Sequence, residues 1–193
     1  MKKILLSLAI SVSFSGAFAQ VNRYCLFEHF TQASCAPCDA QNPAFVSNIM
    51  NPNPDKVRHI AYHTSWPGVD PMYSFNTGGN AARTTFYGVS GVPEMTMMGN
   101  VKTGAPGAFN QNDVDGVYNN LTPLKIKVSE VDNGANRDVT VTVTSVGAPP
   151  AGTFKLYVAV IHRNAVYSTP PGSNGETVFP NVFRKMISGN PQT

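Results

Sequence analysis

The stretch EHFTQASCAPCDAQNPAF, residues 28–45, holds two cysteines three positions apart. Before the two cysteines, the segment from Tyr24 to Phe30 is short and apolar enough to form a strand. After it, Phe45 and Ile49 are four residues apart, as one face of a helix requires, and Pro43 predicts a kink in that helix. The pattern therefore predicts a strand, a turn that carries the C-x-x-C motif, and a helix that begins at the motif.

A C-x-x-C pair at the start of a helix has a specific chemical meaning. Unpaired backbone N–H groups and the helix dipole stabilise a thiolate at Cys35, which makes this residue the predicted nucleophile. Cys38 lies three residues further on the same face, so it can attack a mixed disulfide and release the partner. Pro37 fits the first helical turn, where its missing N–H costs no hydrogen bond.

The first half of the chain alternates between strand-like and helix-like segments. VRHIAYHTSW and VPEMTMMG read as strands, GGNAARTTFYGV reads as a helix that ends at Gly88, and NQNDVDGVYNN reads as a short closing helix. This order predicts an α/β layered domain over residues 20–120.

The second half reads as strands and turns only, from a seam at YNNLTPL. Val139, Val141 and Val143 alternate with threonines, and DNGANRD and GAPPAGT supply turns. We therefore predict an all-β, sandwich-like domain over residues 122–193. Three or four strands are few for a closed sandwich, so we expect either that the domain is truncated or that another segment covers its edge.

The N-terminal segment, residues 1–19, predicts export. It has Lys2 and Lys3, a short apolar run, and the pattern Ala17-Phe18-Ala19 before Gln20, as in a cleaved secretory signal. Without the two lysines, 12 basic residues oppose 11 acidic ones, so no basic surface for nucleic acid is expected. We expect a periplasmic, outer-membrane-associated or extracellular protein, in an environment where disulfides persist.

Several motifs together resemble the thioredoxin superfamily: CAPC after a strand, and GVSGVPEMTMMG about 55 residues later. The stretches DPMYSF, AARTTFYGVSGVPEMTMMG and NGETVFPNVFRKM resemble a narrower group of exported, often outer-membrane, thioredoxin-fold proteins of Gram-negative bacteria. The resemblance covers most of the mature chain. It implies a thioredoxin-like domain at residues 20–120 and thiol–disulfide exchange with protein thiols or disulfides.

The resemblance also assigns roles to residues around the motif. It implies a cis bond between Val92 and Pro93, with the Val92 backbone as the ledge for a substrate strand. Thioredoxins carry a buried acid six residues before the first cysteine, and this chain has His29 there, beside Glu28. Either residue is the expected base for Cys38. Trp66, in the loop WPGVDPM, and Pro37, within the motif, are candidates for contacting the substrate.

Three other functions remain open at this point. The Cys35–Cys38 pair could be an inert staple, although so small a ring constrains few residues. His59 and His63 share one strand face and could join the two thiolates in a zinc or copper(I) site. The chain could also be a non-catalytic surface binding protein. The exchange chemistry needs no cofactor, and Cys25 remains as a buried free thiol or a partner for another chain.

Overall fold

The computed structural model describes residues 20–188, so the predicted signal segment 1–19 lies outside the described residues. The chain divides into two compact units, one with Asn22–Leu121 and the segment from Ala151 onward, the other with Thr122–Pro150 and Val21. The regular elements are, in chain order, β1 (Cys25–Thr31), α1 (Ala36–Phe45), a π-helical turn (Val46–Met50), β2 (Val57–His63), α2 (Pro71–Phe75), α3 (Thr77–Tyr87), β3 (Glu94–Met97), β4 (Lys102–Gly104), a 3₁₀ turn (Pro106–Ala108), α4 (Gln111–Tyr118), β5 (Leu124–Asn133), β6 (Asn136–Ser145), β7 (Val158–Val166) and β8 (Val178–Ser188).

The larger unit is built on a six-stranded mixed sheet with the order β4-β3-β1-β2-β8-β7. The central strands β1 and β2 are parallel, β3 is antiparallel to β1, and β8 is parallel to β2. Both faces of β1 are buried, as a central parallel strand requires. On one face, Phe27 packs with Phe45 of α1 and Val114 of α4, and on the other Phe30 packs with Tyr62 and with Tyr87 of α3.

Helices α1, α3 and α4 form where the sequence predicts helices, whereas the short helix α2 was not predicted. The helix after the cysteines contains Pro43 and becomes π-helical at Val46, where Asn51 N–H donates to Val46 O at 2.9 Å. Proline removes a backbone donor, so a change of helical hydrogen bonding just beyond it is expected. Helix α3 ends at Gly88, which is left-handed (φ 66°), a conformation that glycine adopts without strain. Asn110 and Asp113 form a capping box at the start of α4.

The second half differs from the predicted sandwich domain. Strands β7 and β8 pair with each other and join the main sheet beside β2, whereas β5 and β6 form a separate two-stranded hairpin. The hairpin turn contains Gly134 in a left-handed conformation (φ 61°). The period of two correctly predicts strands here, but it does not specify which strand each will pair with. The segment 122–193 therefore does not form a single sandwich within the described residues.

Candidate active site at the Cys35–Cys38 disulfide

Cys35 and Cys38 form a disulfide at the N-terminus of α1, with their Cα atoms 5.2 Å apart. Cys35 is the N-cap residue, and its Sγ accepts the N–H of Cys38 at 3.1 Å. The N–H of Cys35 donates to Gln32 O at 3.1 Å, which closes the turn between β1 and α1. A reduced Cys35 would thus accept the N–H of Cys38 at the positive end of the helix dipole, and both interactions lower a thiol pKa.

The backbone at Val92 lies directly beside the disulfide. The Val92 carbonyl oxygen is 3.5 Å from Cys35 Sγ, and the Val92–Pro93 peptide bond is cis, as the resemblance implies. Strand β3 starts at the next residue, Glu94. The segment before β3 therefore borders the sulfur that sequence analysis assigns as nucleophile.

Both cysteines are buried. The exposed fractions of Cys35 and Cys38 are 2% and 0%, whereas Ala36 and Pro37 between them are exposed. Pro37 lies in the first turn of α1, where sequence analysis places it. A partner that reaches Cys35 Sγ must therefore displace a neighbouring side chain or loop.

Trp66 lies in the loop between β2 and α2 and has 37% of its surface exposed. This loop is bound to the turn before Cys35, since Gln32 Nε2 donates to Gly68 O at 2.6 Å and Ser34 Oγ donates to Val69 O at 2.9 Å. The loop is thus next to the motif, and Trp66 is a partly exposed aromatic residue on it.

The structure separates the two residues that were expected to act as a base. Successive residues of a strand point to opposite faces, and Glu28 lies on the α3 face. Its carboxylate accepts from Arg83 Nε at 2.6 Å, from Arg83 Nη2 at 2.8 Å and from Tyr87 Oη at 2.5 Å. Glu28 is therefore a hydrogen-bonding partner of α3, and the geometry gives no support to the expectation that it serves Cys38 on α1.

His29 lies on the α1 face and begins a chain of buried polar groups. Its Nδ1 is 3.2 Å from His59 Nε2, and His59 Nδ1 is 3.4 Å from Asn181 Nδ2. Because an amide nitrogen donates, we assign the hydrogen of His59 to Nε2 and that of His29 to its own Nε2, which has no partner. Burial, and then the neighbouring histidines, hold the pKa of His29 well below its usual value and that of His59 at about 3.

His63 belongs to the same face and is oriented by Asp70, a residue that sequence analysis missed. His63 Nδ1 lies 2.7 Å from Asp70 Oδ2, which also accepts the Ala33 N–H at 2.7 Å. Although burial opposes it, the hydrogen bonds from His63 and then from Ala33 lower the pKa of Asp70. The Nε2 of His63 has no partner.

The loop between β7 and β8 also reaches the motif. Asn174 Nδ2 lies 3.3 Å from both Gln32 O and Cys35 O, and Asn174 N–H donates to Ala33 O at 3.1 Å. The Glu176 carboxylate accepts from Asn174 and from Asn42 of α1. No spacing rule connects residues 174 and 176 with a cysteine pair about 140 positions earlier, so sequence analysis had no signal for them.

A cleft of about 1110 Å³ opens between α1 with its π-helical turn and the strands β2, β8 and β7. The three histidines His29, His59 and His63 line it, together with Asn42 and Glu176. Within residues 20–188, no group of three or more His, Cys, Asp or Glu side chains is arranged to hold a metal ion. The proposed Cys/His metal site therefore has no support in the geometry.

Cys25, the third cysteine, is a free thiol buried in the core with Phe27 and Phe45. Burial, and then the charge of Asp113, raise the pKa of Cys25 to about 12. Such a thiol is protonated and inert at neutral pH, as expected for a cysteine that packs as a small hydrophobic residue.

The fold resembles one solved structure, HBP35 of Porphyromonas gingivalis, with a TM-score of 0.67 and 16% sequence identity. The match covers 87% of this chain and 57% of that one, so the chain spans little more than half the length of its structural neighbour. The match supports a thioredoxin-like fold. No protein family model and no curated protein sequence matches the chain. Across residues 20–188, every helix is too short or too polar to cross a bilayer.

Proposed function

We propose that this chain is an exported thiol–disulfide oxidoreductase that exchanges disulfides with protein thiols. The observation that supports it most directly is the position of Cys35 Sγ. This sulfur caps α1, accepts the Cys38 N–H at 3.1 Å and lies 3.5 Å from the Val92 carbonyl. A helix N-terminus lowers the pKa of a thiol, and a backbone edge beside the sulfur offers hydrogen bonds to an extended substrate.

In the reducing direction, the Cys35 thiolate attacks one sulfur of a partner disulfide. The partner's S–S bond breaks, a Cys35–partner mixed disulfide forms, and the other partner sulfur leaves as a thiolate that takes up a proton. Cys38 then loses its proton and attacks Cys35 Sγ, which forms the Cys35–Cys38 disulfide and releases the second partner thiol. Two electrons pass to the partner, and oxidation of a partner dithiol is the reverse sequence.

His29 is the proposed proton-transfer residue on β1. The ring of His29 lies 6.5 Å from that of Phe45, measured between centroids. Phe45 and Cys38 are both buried residues of α1, so His29 lies on the side of the sheet that α1 covers. Its Nε2 carries the hydrogen in the tautomer assigned above and has no partner, so it can donate that hydrogen to a group that changes protonation.

Insulin reduction with variants of the two cysteines tests this proposal. Cys35→Ser should abolish turnover, whereas Cys38→Ser should accumulate a mixed disulfide that is visible by mass spectrometry. Cys25→Ser is the matched control. The Cys25 thiol is free and buried, so this substitution should leave the rate of insulin reduction unchanged. Equal rates in the wild type and all three variants would contradict the proposal.

Export is part of the same proposal and depends on residues 1–19. Expression of the full chain in a Gram-negative host, followed by fractionation and N-terminal sequencing, should yield a periplasmic or outer-membrane-associated protein that begins at Gln20. A product that retains Met1 in the cytoplasm would contradict the export step.

A second candidate is a non-catalytic binding protein on a thioredoxin-like scaffold. The burial of both sulfurs and the cleft lined by three histidine residues favour it. The two candidates differ in the reduction potential of the Cys35–Cys38 pair. A value below about −300 mV, with no insulin reduction, would identify a structural disulfide and favour the binding protein.

A further inference from the structure

Glu176, in the loop between β7 and β8, is attached to the helix that carries the cysteines. Its Oε1 accepts from Asn42 Nδ2 at 3.1 Å and its Oε2 accepts from Asn174 Nδ2 at 2.6 Å. Asn42 follows Cys38 by four residues, and both side chains are buried on the same face of α1. A carboxylate from the end of the chain is therefore held one helical turn beyond the resolving cysteine.

The backbone contacts of the same loop fix this position. Asn174 is hydrogen-bonded to the carbonyl groups of Gln32, Ala33 and Cys35, and Glu176 N–H donates to Asn174 Oδ1 at 2.9 Å. A Cβ atom placed on Gly172 would lie 2.3 Å from Ala33 O, so the loop backbone packs directly on the turn before Cys35. The packing of the β7–β8 loop against the turn before Cys35 therefore fixes the position of Glu176.

The charges around Glu176 come from three elements. Asp39 of α1 and His63 of β2 act on it electrostatically, and Arg163 of β7 lines the same cleft. Burial raises the pKa of Glu176, while hydrogen bonds from Asn42 and Asn174 oppose the rise. The histidines His29 and His59 are neutral near pH 7, because burial lowers their pKa values. Glu176 is therefore a half-buried carboxylate whose charge His29 and His59 do not cancel, whereas His63 acts on it electrostatically.

We propose that Glu176 is a positioning residue that, through Asn42, sets the protonation equilibrium of Cys38 and the reduction potential of the Cys35–Cys38 pair. The inference rests on the proposed oxidoreductase function, which gives that equilibrium its use. A carboxylate near a thiol disfavours the thiolate and raises the thiol pKa. Since thiolate stabilisation favours the reduced pair, the Glu176 charge favours the disulfide and makes the pair more reducing.

The test compares Glu176→Gln with the wild type in glutathione redox buffers, with the reduced fraction measured by alkylation and mass spectrometry. We expect the equilibrium constant for reduction to rise about three- to tenfold, where tenfold corresponds to about 30 mV. The pH at which Cys38 reacts with iodoacetamide in Cys35→Ser should fall in parallel when Glu176→Gln is added. Glu176→Asp, which keeps the charge, should restore most of the wild-type constant.

Two controls separate charge from structure. Glu130→Gln removes an exposed carboxylate from strand β5 and should leave the equilibrium constant within twofold of the wild type. Asn174→Ala removes one of the two side chains that hold the carboxylate, so it should move the equilibrium constant and the pH of Cys38 alkylation in the same direction as Glu176→Gln but by a smaller factor. A Glu176→Gln constant within twofold of the wild type, or no restoration by Glu176→Asp, would overturn the inference.

Failure of this inference can be distinguished from failure of the proposed function, because the reduction potential of the Cys35–Cys38 pair is measured without a protein substrate. If the wild type does not reduce insulin but Glu176→Gln shifts the equilibrium, the function is wrong and the inference on Glu176 stands. If the wild type reduces insulin and Glu176→Gln shifts nothing, the function stands and the inference is wrong.

Discussion

The two faces of the central strands β1 and β2 hold the ionisable residues Glu28, His29 and His63 in opposite ways. On the α3 face, both oxygens of Glu28 accept from Arg83, and Tyr87 adds a third hydrogen bond. On the α1 face, His29 and His63 each have one nitrogen engaged and one without a partner. Glu28 and His29 are consecutive in the chain, so the difference arises from the helices that cover each face.

The comparison shows where chemistry is possible in this fold. A buried carboxylate that already accepts from a bidentate guanidinium and a tyrosine hydroxyl is held in structural hydrogen bonds, whereas an imidazole with one unpartnered nitrogen can bind or exchange protons. The open face is also the face of α1, Glu176 and the cleft. We therefore expect changes on the α3 face to alter stability, and changes on the α1 face to alter pH dependence.

The largest expected effect is on the α3 face. Arg83→Met leaves the buried Glu28 carboxylate without its cation and should lower the free energy of unfolding by about 3–5 kcal/mol, as for other broken buried ion pairs. Urea denaturation measures this change. The matched control, Glu28→Gln with Arg83→Met, should recover most of the loss because no charge is left buried. A loss below about 1 kcal/mol for Arg83→Met would show that the two faces do not differ in this way.

A smaller effect, visible only in acid, is expected on the α1 face. The pKa of His59 is about 3 in the folded protein and about 6.5 in the unfolded chain. Between these pH values, His59 is protonated in the unfolded chain but not in the folded protein. Stability is therefore retained above pH 6.5 and falls between pH 6.5 and 3. At pH 5 the contribution of His59 is a loss of about 2 kcal/mol relative to pH 7.5.

His59→Gln tests this linkage, since glutamine can still donate to His29 Nδ1 but does not titrate. The variant should lose about 2 kcal/mol less than the wild type between pH 7.5 and pH 5, measured by urea denaturation at each pH. Arg83→Met should leave this pH dependence unchanged. Parallel stability curves for the wild type and His59→Gln would show that His59 is not buried in its neutral form.

The sequence predicts the parts of this site that depend on neighbouring residues. The strand before Cys35, the helix that starts at the motif and the position of Val92 and Pro93 follow from local periodicity, spacing and a family resemblance. The choice between Glu28 and His29 does not follow from the sequence. Both faces of β1 are buried and carry apolar residues. The alternation of side chains therefore shows that Glu28 and His29 point to opposite faces, but not which of them faces α1.

The partners from the second half were not predictable for a different reason. Strand β8 joins β2 across more than 100 residues, and an alternating pattern specifies a strand without specifying its neighbour. Asn174 and Glu176 reach the cysteines only because β7 and β8 complete the main sheet. Asp70 is likewise recognised as a partner of His63 and of the turn before Cys35 only once these segments are folded together.

The smallest expected effect concerns a buried hydroxyl without a partner, and it tests whether such a group contributes to stability. Thr96 pairs with Glu28 in the sheet, is buried, and its Oγ1 has no partner. Thr96→Val removes that hydroxyl with little change of shape, so the free energy of unfolding should stay the same or rise by up to about 1 kcal/mol. The control Thr103→Val, at the exposed position paired with Thr96 on β4, should change it by no more than about 0.5 kcal/mol. If Thr96→Val instead costs more than about 1 kcal/mol, the Thr96 hydroxyl makes a stabilising hydrogen bond.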